Sequence, residues 1–456
     1  MSPRTSCPND YSKDSVKCQL LRPFFLLESG QLPRARVGLE SRDARQATIV
    51  ESLVASDTLL DRSKLSTEAA LVLCCATTAA TPERSAMASN LAARVRNWDS
   101  FIDIAKRHGV LPLVHRYLNL ECPAAVPADA MAKLRTQWQL IILYNRHLAA
   151  ELVRLTSLLD AAGVPAVSFK GLVLAAMAYG SIELRQFVDL DILVRQTDLP
   201  QVANVLTAEG YLSPHTRREG LATGYFQECE DAFFARGGMG AVDVHWKMTP
   251  RAFRFAPDEE SFWHRAHAVE LEFGTVTAIV PEDLLLYICV HAAKHGWIAL
   301  GSICDVAQIL RARSTINLMA MLDEATTLGS RRMFLTGILL AHDLVGAPVQ
   351  ADIVAIARRD RAVESLAKRV ASQLFSGSGP GRSRFDPWTV PLRSIESTRG
   401  RTRYLVRRML APTMGDYELV QLPTSLFPLY WLIRPFRMAL QYGPRLLRGS
   451  ASSSNA

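Results

Sequence analysis

The sequence lacks several features that mark common protein classes. No two of its eight cysteines form a Cys-x-x-Cys pair, which excludes a zinc-ribbon spacing and favours a reducing compartment. No uncharged run reaches the roughly 18 residues that a membrane-spanning helix needs. The start of the chain also lacks the sustained apolar stretch of a signal peptide. We therefore expect a cytoplasmic protein without a transmembrane segment.

A strong charge imbalance is also missing. The 456 residues include 52 basic and 44 acidic residues, a formal net charge of +8. This modest surplus is compatible with an anionic ligand and does not require nucleic acid. Hydrophobic residues make up 49% of the chain, which is enough for a large core spread over two or three domains.

Changes in hydrophobic periodicity divide the chain into five parts. The expected fold class is α+β, with a small mixed-sheet core embedded between mostly α-helical N- and C-terminal regions. The parts are a disordered N-terminal extension (1–60), a helical region (61–160), the α/β core (161–250), a helical domain (251–375) and a linker with a basic C-terminal segment (376–456), the linker itself being 376–384.

Within the core, short apolar runs predict strands at 164–169 and 187–194. A small apolar helix is expected between them, at 172–180. Two further runs, 231–236 and 241–246, flank a glycine-rich turn and predict a β-hairpin. The core is therefore expected to hold a mixed sheet.

Three aspartates interrupt these apolar strands. Asp189 and Asp191 are two residues apart in "FVDLDILV", so on a strand they share one face. Asp243 lies within "AVDVHW". Neighbouring carboxylates repel unless a cation lies between them, and Mg²⁺ or Mn²⁺ would resolve the conflict. The alternatives are an exposed edge strand for the first two residues and a salt-bridge partner or a turn residue for Asp243.

A lysine–glycine pair, Lys170–Gly171, lies where the first strand meets the helix. Glycine lets a phosphate approach the backbone, and lysine adds a positive charge. The alternative is an ordinary tight turn with a surface lysine. Arg185 either binds a phosphate, pairs with the aspartates or forms a structural ion pair. These three residues are the candidate nucleotide-binding residues.

Three histidines are candidate substrate contacts. His245 is two residues from Asp243 and shares its strand face. His291 and His295 are four residues apart on a predicted helix, but "HAAKH" lacks the glutamate of His-Glu-x-x-His, which disfavours zinc. The alternative is that these histidines belong to the core.

The C-terminal segment carries an arginine-rich run at 393–410. A solvated basic helix is the default interpretation, and contact with a membrane surface or with nucleic acid is the alternative. An apolar stretch at 425–440 favours an interfacial role or packing onto the core.

The order of these motifs resembles the nucleotidyltransferase fold of the DNA polymerase β superfamily. The nearest likeness is to the uncharacterised bacterial nucleotidyltransferases called NTP_transf_5. The matching pieces are "FKG", Tyr179, Arg185, "DLDILV", "DVHW" and "HAAKHGW". The likeness spans roughly residues 90–340. This chain has Lys-Gly at the turn, where the superfamily usually has Gly-Gly or Gly-Ser.

The resemblance implies catalytic metal ligands at Asp189, Asp191 and Asp243 and nucleotide contacts near Lys170 and Gly171. The implied activity is transfer of a nucleoside monophosphate from a nucleoside triphosphate to a hydroxyl of a small molecule, peptide or protein. Two other hypotheses remain open. One is a catalytically inactive relative that binds a nucleotide or a partner, and the other is an RNA-directed nucleotidyltransferase.

Overall fold

The structure is a computed structural model that describes residues 59–213, 229–235, 240–249, 255, 259–375 and 389–451. Three predicted features fall wholly or largely outside these ranges. They are the disordered N-terminal extension up to residue 58, the hairpin turn at 237–239 and the linker at 376–384.

Helices α1 to α4 precede the sheet, and their ends follow local capping signals. The stretch 90–119 is divided among three helices. Asn97 interrupts it because its side chain accepts a hydrogen bond from the Ser100 amide, which caps a new helix. Gly109, with φ +67°, ends that helix before the next begins at Leu111.

Helix α5 (Ala128–Ala161) is 34 residues long and leads into the sheet. Its second half packs Leu148, Leu152, Leu155 and Leu159 against the strands. This buried leucine row recurs at helical spacing, so one face of the helix covers one face of the sheet.

Seven strands form one mixed sheet in the order β3-β4-β5-β2-β1-β7-β6. Two neighbouring pairs are parallel, β2 with β5 and β1 with β7, and the other pairs are antiparallel. Strands β6 and β7 lie at 267–278, inside the part of the chain predicted to be helical. The α+β fold class predicted from the sequence is confirmed, and the sheet extends beyond the predicted boundary at residue 250.

Helices α9 to α14 form a largely buried assembly on the other face of the sheet, and α15 to α18 follow it. None of the described helices is long and apolar enough to span a membrane. The helices are α1 Thr67–Cys75, α2 Pro82–Arg94, α3 Trp98–Arg107, α4 Leu111–Glu121, α5 Ala128–Ala161, α6 Gly171–Leu174, α7 Leu199–Ala208, α8 Glu259–Arg265, α9 Pro281–Lys294, α10 Leu300–Ala312, α11 Leu318–Thr327, α12 Arg331–Val345, α13 Ala351–Arg359, α14 Arg361–Leu374, α15 Thr389–Ser394, α16 Thr398–Leu410, α17 Met414–Leu419 and α18 Tyr430–Ala451. The strands are β1 Val167–Ser168, β2 Leu190–Leu193, β3 Tyr211–Leu212, β4 Glu230–Ala235, β5 Ala241–His245, β6 His267–Leu271 and β7 Gly274–Ala278.

A buried histidine joins the N-terminal helices to α10. His108 accepts a hydrogen bond at Nδ1 from the Leu300 amide, and its ring packs on Phe375. Burial, together with the charge of Arg107, lowers the pKa of His108 to about 4. The folded protein therefore holds this imidazole neutral at physiological pH.

We expect His108 to make the protein sensitive to acid. Its folded-state pKa lies below that of the unfolded chain, so its contribution to stability is present above about pH 6.5 and is lost as the pH falls towards 4. The loss at pH 4 should be about 3 kcal/mol. Urea unfolding of the wild type and of His108→Asn, measured from pH 7 to pH 4, tests this. An equally steep decline in both proteins would contradict it.

Candidate active site

On strands β2 and β5, one face is wholly apolar and the other carries the polar side chains. Ile192 and Val244 pack into the core beneath α5 and α7. Successive strand residues alternate between faces, so Asp191, Asp243 and His245 lie on the opposite face. All three of these polar side chains are buried.

The register of the parallel pair places two carboxylates side by side. Asp191 is the direct partner of Asp243, and each is 6% exposed. Ligand atoms of Asp191, Asp243 and His245 all lie within 4.8 Å of one another. Two buried carboxylates at this spacing repel each other, so the site requires nearby positive charge.

Lys170 supplies part of that charge. Its Nζ lies 2.7 Å from Asp191 Oδ1, and His245 Nε2 lies 3.1 Å from the same oxygen. Burial raises the pKa of Asp191, but the charge of Lys170 and the hydrogen bond with His245 outweigh it and hold the pKa below its usual range. Burial lowers the pKa of Lys170, but the charge of Asp191 outweighs this and raises the pKa well above normal. Both groups are therefore ionised.

The backbone at Lys170 is strained. Its φ of 63° and ψ of −154° fall in a region that is almost exclusive to glycine. Gly171 follows with φ +39°, and a Cβ there would lie 3.4 Å from the carbonyl oxygen of Asp189. Strained residues of this kind concentrate at functional sites because the surrounding structure must hold them in place.

A third carboxylate adjoins the cluster from the hairpin. Glu230 on β4 is the strand partner of His245, and its Oε2 lies 3.2 Å from His245 Nδ1. His245 thus lies between Glu230 and Asp191. Sequence reasoning missed Glu230, although its place at the start of a strand that pairs with "AVDVH" was available as a signal.

Arg185 links the lysine–glycine turn to Asp305. It forms a two-pronged ion pair with Asp305, with Nε and Nη2 at 2.8 and 2.9 Å from the carboxylate oxygens. Its Nη1 donates to the carbonyl oxygen of Gly171 at 3.2 Å, and Tyr179 also donates to Asp305. Of the alternatives for Arg185, the structure shows the structural ion pair, and its partner is Asp305.

We expect the Arg185–Asp305 pair to be important for stability. Asp305→Asn leaves a buried guanidinium without its counter-ion, which should cost about 3–5 kcal/mol of unfolding free energy. The double variant Arg185→Met/Asp305→Asn keeps an acceptor for Tyr179 without a buried charge, so it should lose less than the single variant. Urea unfolding measures all three proteins. An Asp305→Asn variant as stable as the wild type would contradict the expectation.

Asp189 lies one residue before β2, which starts later than the sequence predicted. It is half-buried, and among the described residues its carboxylate is not a member of the 4.8 Å cluster. Its negative charge nevertheless acts on Lys170 and helps to raise the pKa of that lysine. The structure therefore sets Asp189 beside the cluster, and its role as a metal ligand stays a prediction.

The two downstream histidines are connected to the site through Tyr287 on α9. The Lys170 ammonium lies 5.6 Å from the centre of the Tyr287 ring, whose hydroxyl is 3.2 Å from His291 Nδ1. The His291 and His295 rings follow, 4.6 Å apart. Burial, then the charge of Lys170, lowers the pKa of His291 well below normal, so this imidazole is neutral.

A mixed sheet that sets two buried carboxylates side by side, next to a lysine at a strand–glycine–helix turn, suits the transfer of a phosphate-containing group. A family model described as an uncharacterised nucleotidyltransferase matches residues 94–346. This match covers more than half of the chain, so the chain belongs to that family and is an enzyme of the nucleotidyltransferase class. The family predicted from the sequence is confirmed. No curated protein matches the chain.

Proposed function

We propose that the protein is a divalent-metal-dependent nucleotidyltransferase. It would move a nucleoside monophosphate from a nucleoside triphosphate to a hydroxyl of a small molecule, peptide or protein. The observation that carries the proposal is the direct pairing of Asp191 with Asp243 across two parallel strands, beside Lys170.

The charges and donor atoms of the site fit a divalent cation. Asp191 and Asp243 belong to the cluster, Glu230 lies next to it, and the Lys170 ammonium group pairs with Asp191. Carboxylate oxygens are the ligands that Mg²⁺ and Mn²⁺ prefer. Asp191 and Asp243 would hold the ion, with His245 or Asp189 as further ligands. A bound ion would neutralise charge on the phosphates of the substrate.

In the proposed reaction, the acceptor hydroxyl oxygen attacks the α-phosphorus of the nucleotide. A new oxygen–phosphorus bond forms, the bond from the α-phosphorus to the bridging oxygen breaks, and pyrophosphate leaves with the bonding electrons. The Asp243 carboxylate accepts the hydroxyl proton. The contribution of these residues is positioning and electrostatic stabilisation, as in other phosphoryl transfers.

Lys170 and Gly171 would receive the phosphates. The ammonium group of Lys170 is a compact positive charge that can contact a phosphate oxygen. Gly171 has no Cβ, which lets a ligand approach the backbone of the turn. Arg185 shapes this turn through its bond to the Gly171 carbonyl oxygen, so its contribution to nucleotide binding would be mainly to position Gly171.

Tyr287 and His291 would contact the acceptor or the base. Both belong to α9, and the ring of Tyr287 packs edge-on against Phe169, the residue before Lys170. A neutral His291 can accept or donate a hydrogen bond without adding charge to the site. His295, whose ring lies 4.6 Å from that of His291, would contact the same part of the substrate.

We also propose a reducing compartment such as the cytoplasm as the place of action. Cys74, Cys75 and Cys289 are buried and carry free thiols. Thiols in this state are typical of reducing surroundings.

A substrate screen tests the function. The purified protein is incubated with each of the four ribonucleoside triphosphates, with Mg²⁺ or Mn²⁺, and with fractionated cell extracts as the source of acceptors. We expect release of pyrophosphate and transfer of label from α-labelled nucleotide, both abolished by a chelator. Transfer that persists in excess chelator would contradict metal dependence. Binding of nucleotide with no transfer in any fraction would favour the inactive alternative.

A further inference from the structure

The C-terminal helices expose an unusual amount of apolar surface. Among the described residues, twelve of the eighteen exposed large apolar side chains lie between Leu405 and Leu440. We define the C-terminal apolar surface as the part contributed by α16 and α18. Its members are Leu405, Val406, Met409 and Leu410 of α16 and Trp431, Leu432, Phe436 and Leu440 of α18.

Helix α18 points its apolar side chains outward. Leu432, Phe436 and Leu440 are 65%, 73% and 79% exposed, at the four-residue spacing that defines one helix face. The opposite face is buried and includes Arg434, which is 8% exposed. A helix packed on a globular protein normally turns its apolar face inward, so the arrangement in α18 indicates an apolar environment outside the protein.

Specific contacts on the buried face of α18 fix this orientation of the helix. Asp416 is fully buried and binds Arg437 Nε at 2.6 Å and Arg434 Nη1 at 3.5 Å. Tyr430 packs with Trp246, the residue after His245, in a separate apolar cluster. The ion pairs of the two arginines thus hold α18 in an orientation that leaves Phe436 and its neighbours exposed.

The C-terminal segment, residues 376–456, carries all of the formal net charge of the chain. Residues 376–456 contain twelve arginines, no lysine and four acidic residues. Their formal net charge of +8 equals that of the entire protein, so the rest of the chain is neutral overall. Arg399, Arg403 and Arg408 of α16 are exposed on the helix that also exposes Leu405 and Met409.

We propose that the C-terminal apolar surface binds the interface of an anionic lipid bilayer. Exposed aliphatic and aromatic side chains beside arginines match the interfacial mode, in which apolar groups enter the boundary of the acyl chains and cations meet anionic headgroups. A second copy of the chain fits less well, because pairing this surface with itself would bring two strongly positive segments together. Nucleic acid would engage the arginines but would leave Leu432 and Leu440 in water.

Vesicle flotation with the full-length protein tests the proposal. Vesicles of phosphatidylcholine alone are compared with vesicles that also contain phosphatidylglycerol. We expect the apparent partition coefficient to be at least about tenfold higher for the anionic vesicles and to fall steeply with added salt. The triple variant Trp431→Ser/Leu432→Ser/Phe436→Ser should lose about tenfold or more. The matched control Leu120→Ser/Leu143→Ser, which removes two exposed leucines elsewhere, should bind like the wild type.

Three results would overturn the proposal. The first is equal partition of the wild type and the triple variant. The second is a wild-type dimer that the triple variant converts to a monomer, with neither protein bound to vesicles, which would assign the surface to a second copy. The third is salt-sensitive binding to single-stranded RNA without vesicle binding. Circular dichroism and urea unfolding, measured without vesicles, confirm that each variant is folded. These results are independent of the proposed metal site.

Discussion

Asp243→Asn is expected to lower nucleotidyl transfer by about a hundredfold or more. The substitution keeps the size of the side chain but removes one of two paired negative charges and the proposed proton acceptor. The loss of transition-state stabilisation should amount to several kcal/mol. Initial rates of pyrophosphate release at saturating Mn²⁺ measure the effect. This variant is more informative than Asp191→Asn, which would also leave Lys170 buried without the carboxylate that it contacts.

The neighbouring strand offers a matched control. Asp231 on β4 is buried and lies in the same sheet, but it is the strand partner of Val244 and therefore faces away from the cluster. Asp231→Asn should keep most of the transfer activity. Equal losses of transfer activity in Asp231→Asn and Asp243→Asn would mean that both substitutions act by disturbing the folded sheet. The proposed catalytic role of Asp243 would then be wrong.

Lys170→Met is expected to have two opposite effects. Transfer should fall by about a hundredfold, because the site loses the cation that meets the phosphates. Affinity for Mn²⁺ should rise by about tenfold, because the ammonium group no longer competes for Asp191 Oδ1. Electron paramagnetic resonance of free Mn²⁺ measures the affinity. A weaker Mn²⁺ affinity in the variant would show that Lys170 supports the metal site rather than competing with it.

Lys170→Gly distinguishes the effect of losing the positive charge from the effect of backbone strain at this position. It removes the same ammonium group as Lys170→Met but accepts φ 63° and ψ −154° without steric cost. It should therefore be more stable than Lys170→Met by about 1–3 kcal/mol, with a similar loss of transfer. Urea unfolding compares the two. Equal stability would mean that the turn relaxes when lysine is replaced.

Much of the site follows from local patterns. The alternation in "DLDILV" was enough to predict that Asp191 lies on the strand face opposite Ile192, and that in "AVDVHW" to predict that Asp243 and His245 share one strand face. The Lys170–Gly171 turn was visible as a change from strand to helix. These features depend on the side-chain period of two and on glycine chemistry, both of which act over a few residues.

Other parts depend on strand ends and register, which local patterns do not determine. The predicted strand 187–194 would have put Asp189 in regular alternation with Asp191, but β2 begins at Leu190. A hairpin of 231–236 with 241–246 would have paired Arg236 with Ala241. The structure instead pairs Phe234 with Ala241, which brings Glu230 opposite His245. A shift of two residues keeps the face of every side chain but changes its neighbours.

Contacts between residues that are far apart in the chain were also not predictable from local sequence patterns. Asp305 lies 120 positions from Arg185, and only the packing of α10 against the turn joins them. The hairpin of β6 and β7 was missed although "AVEL" and "GTVTA" alternate apolar and polar residues on either side of Glu272 and Phe273, which is the pattern of half-exposed strands.

Crystals soaked with Mn²⁺ and a non-hydrolysable nucleoside triphosphate analogue test the central claim most directly. An anomalous difference map locates manganese independently of the protein density. We predict a peak in contact with the carboxylates of both Asp191 and Asp243, with the phosphates next to Lys170. A bound nucleotide with manganese away from both aspartates, and with Lys170 still paired to Asp191, would contradict the proposed metal site.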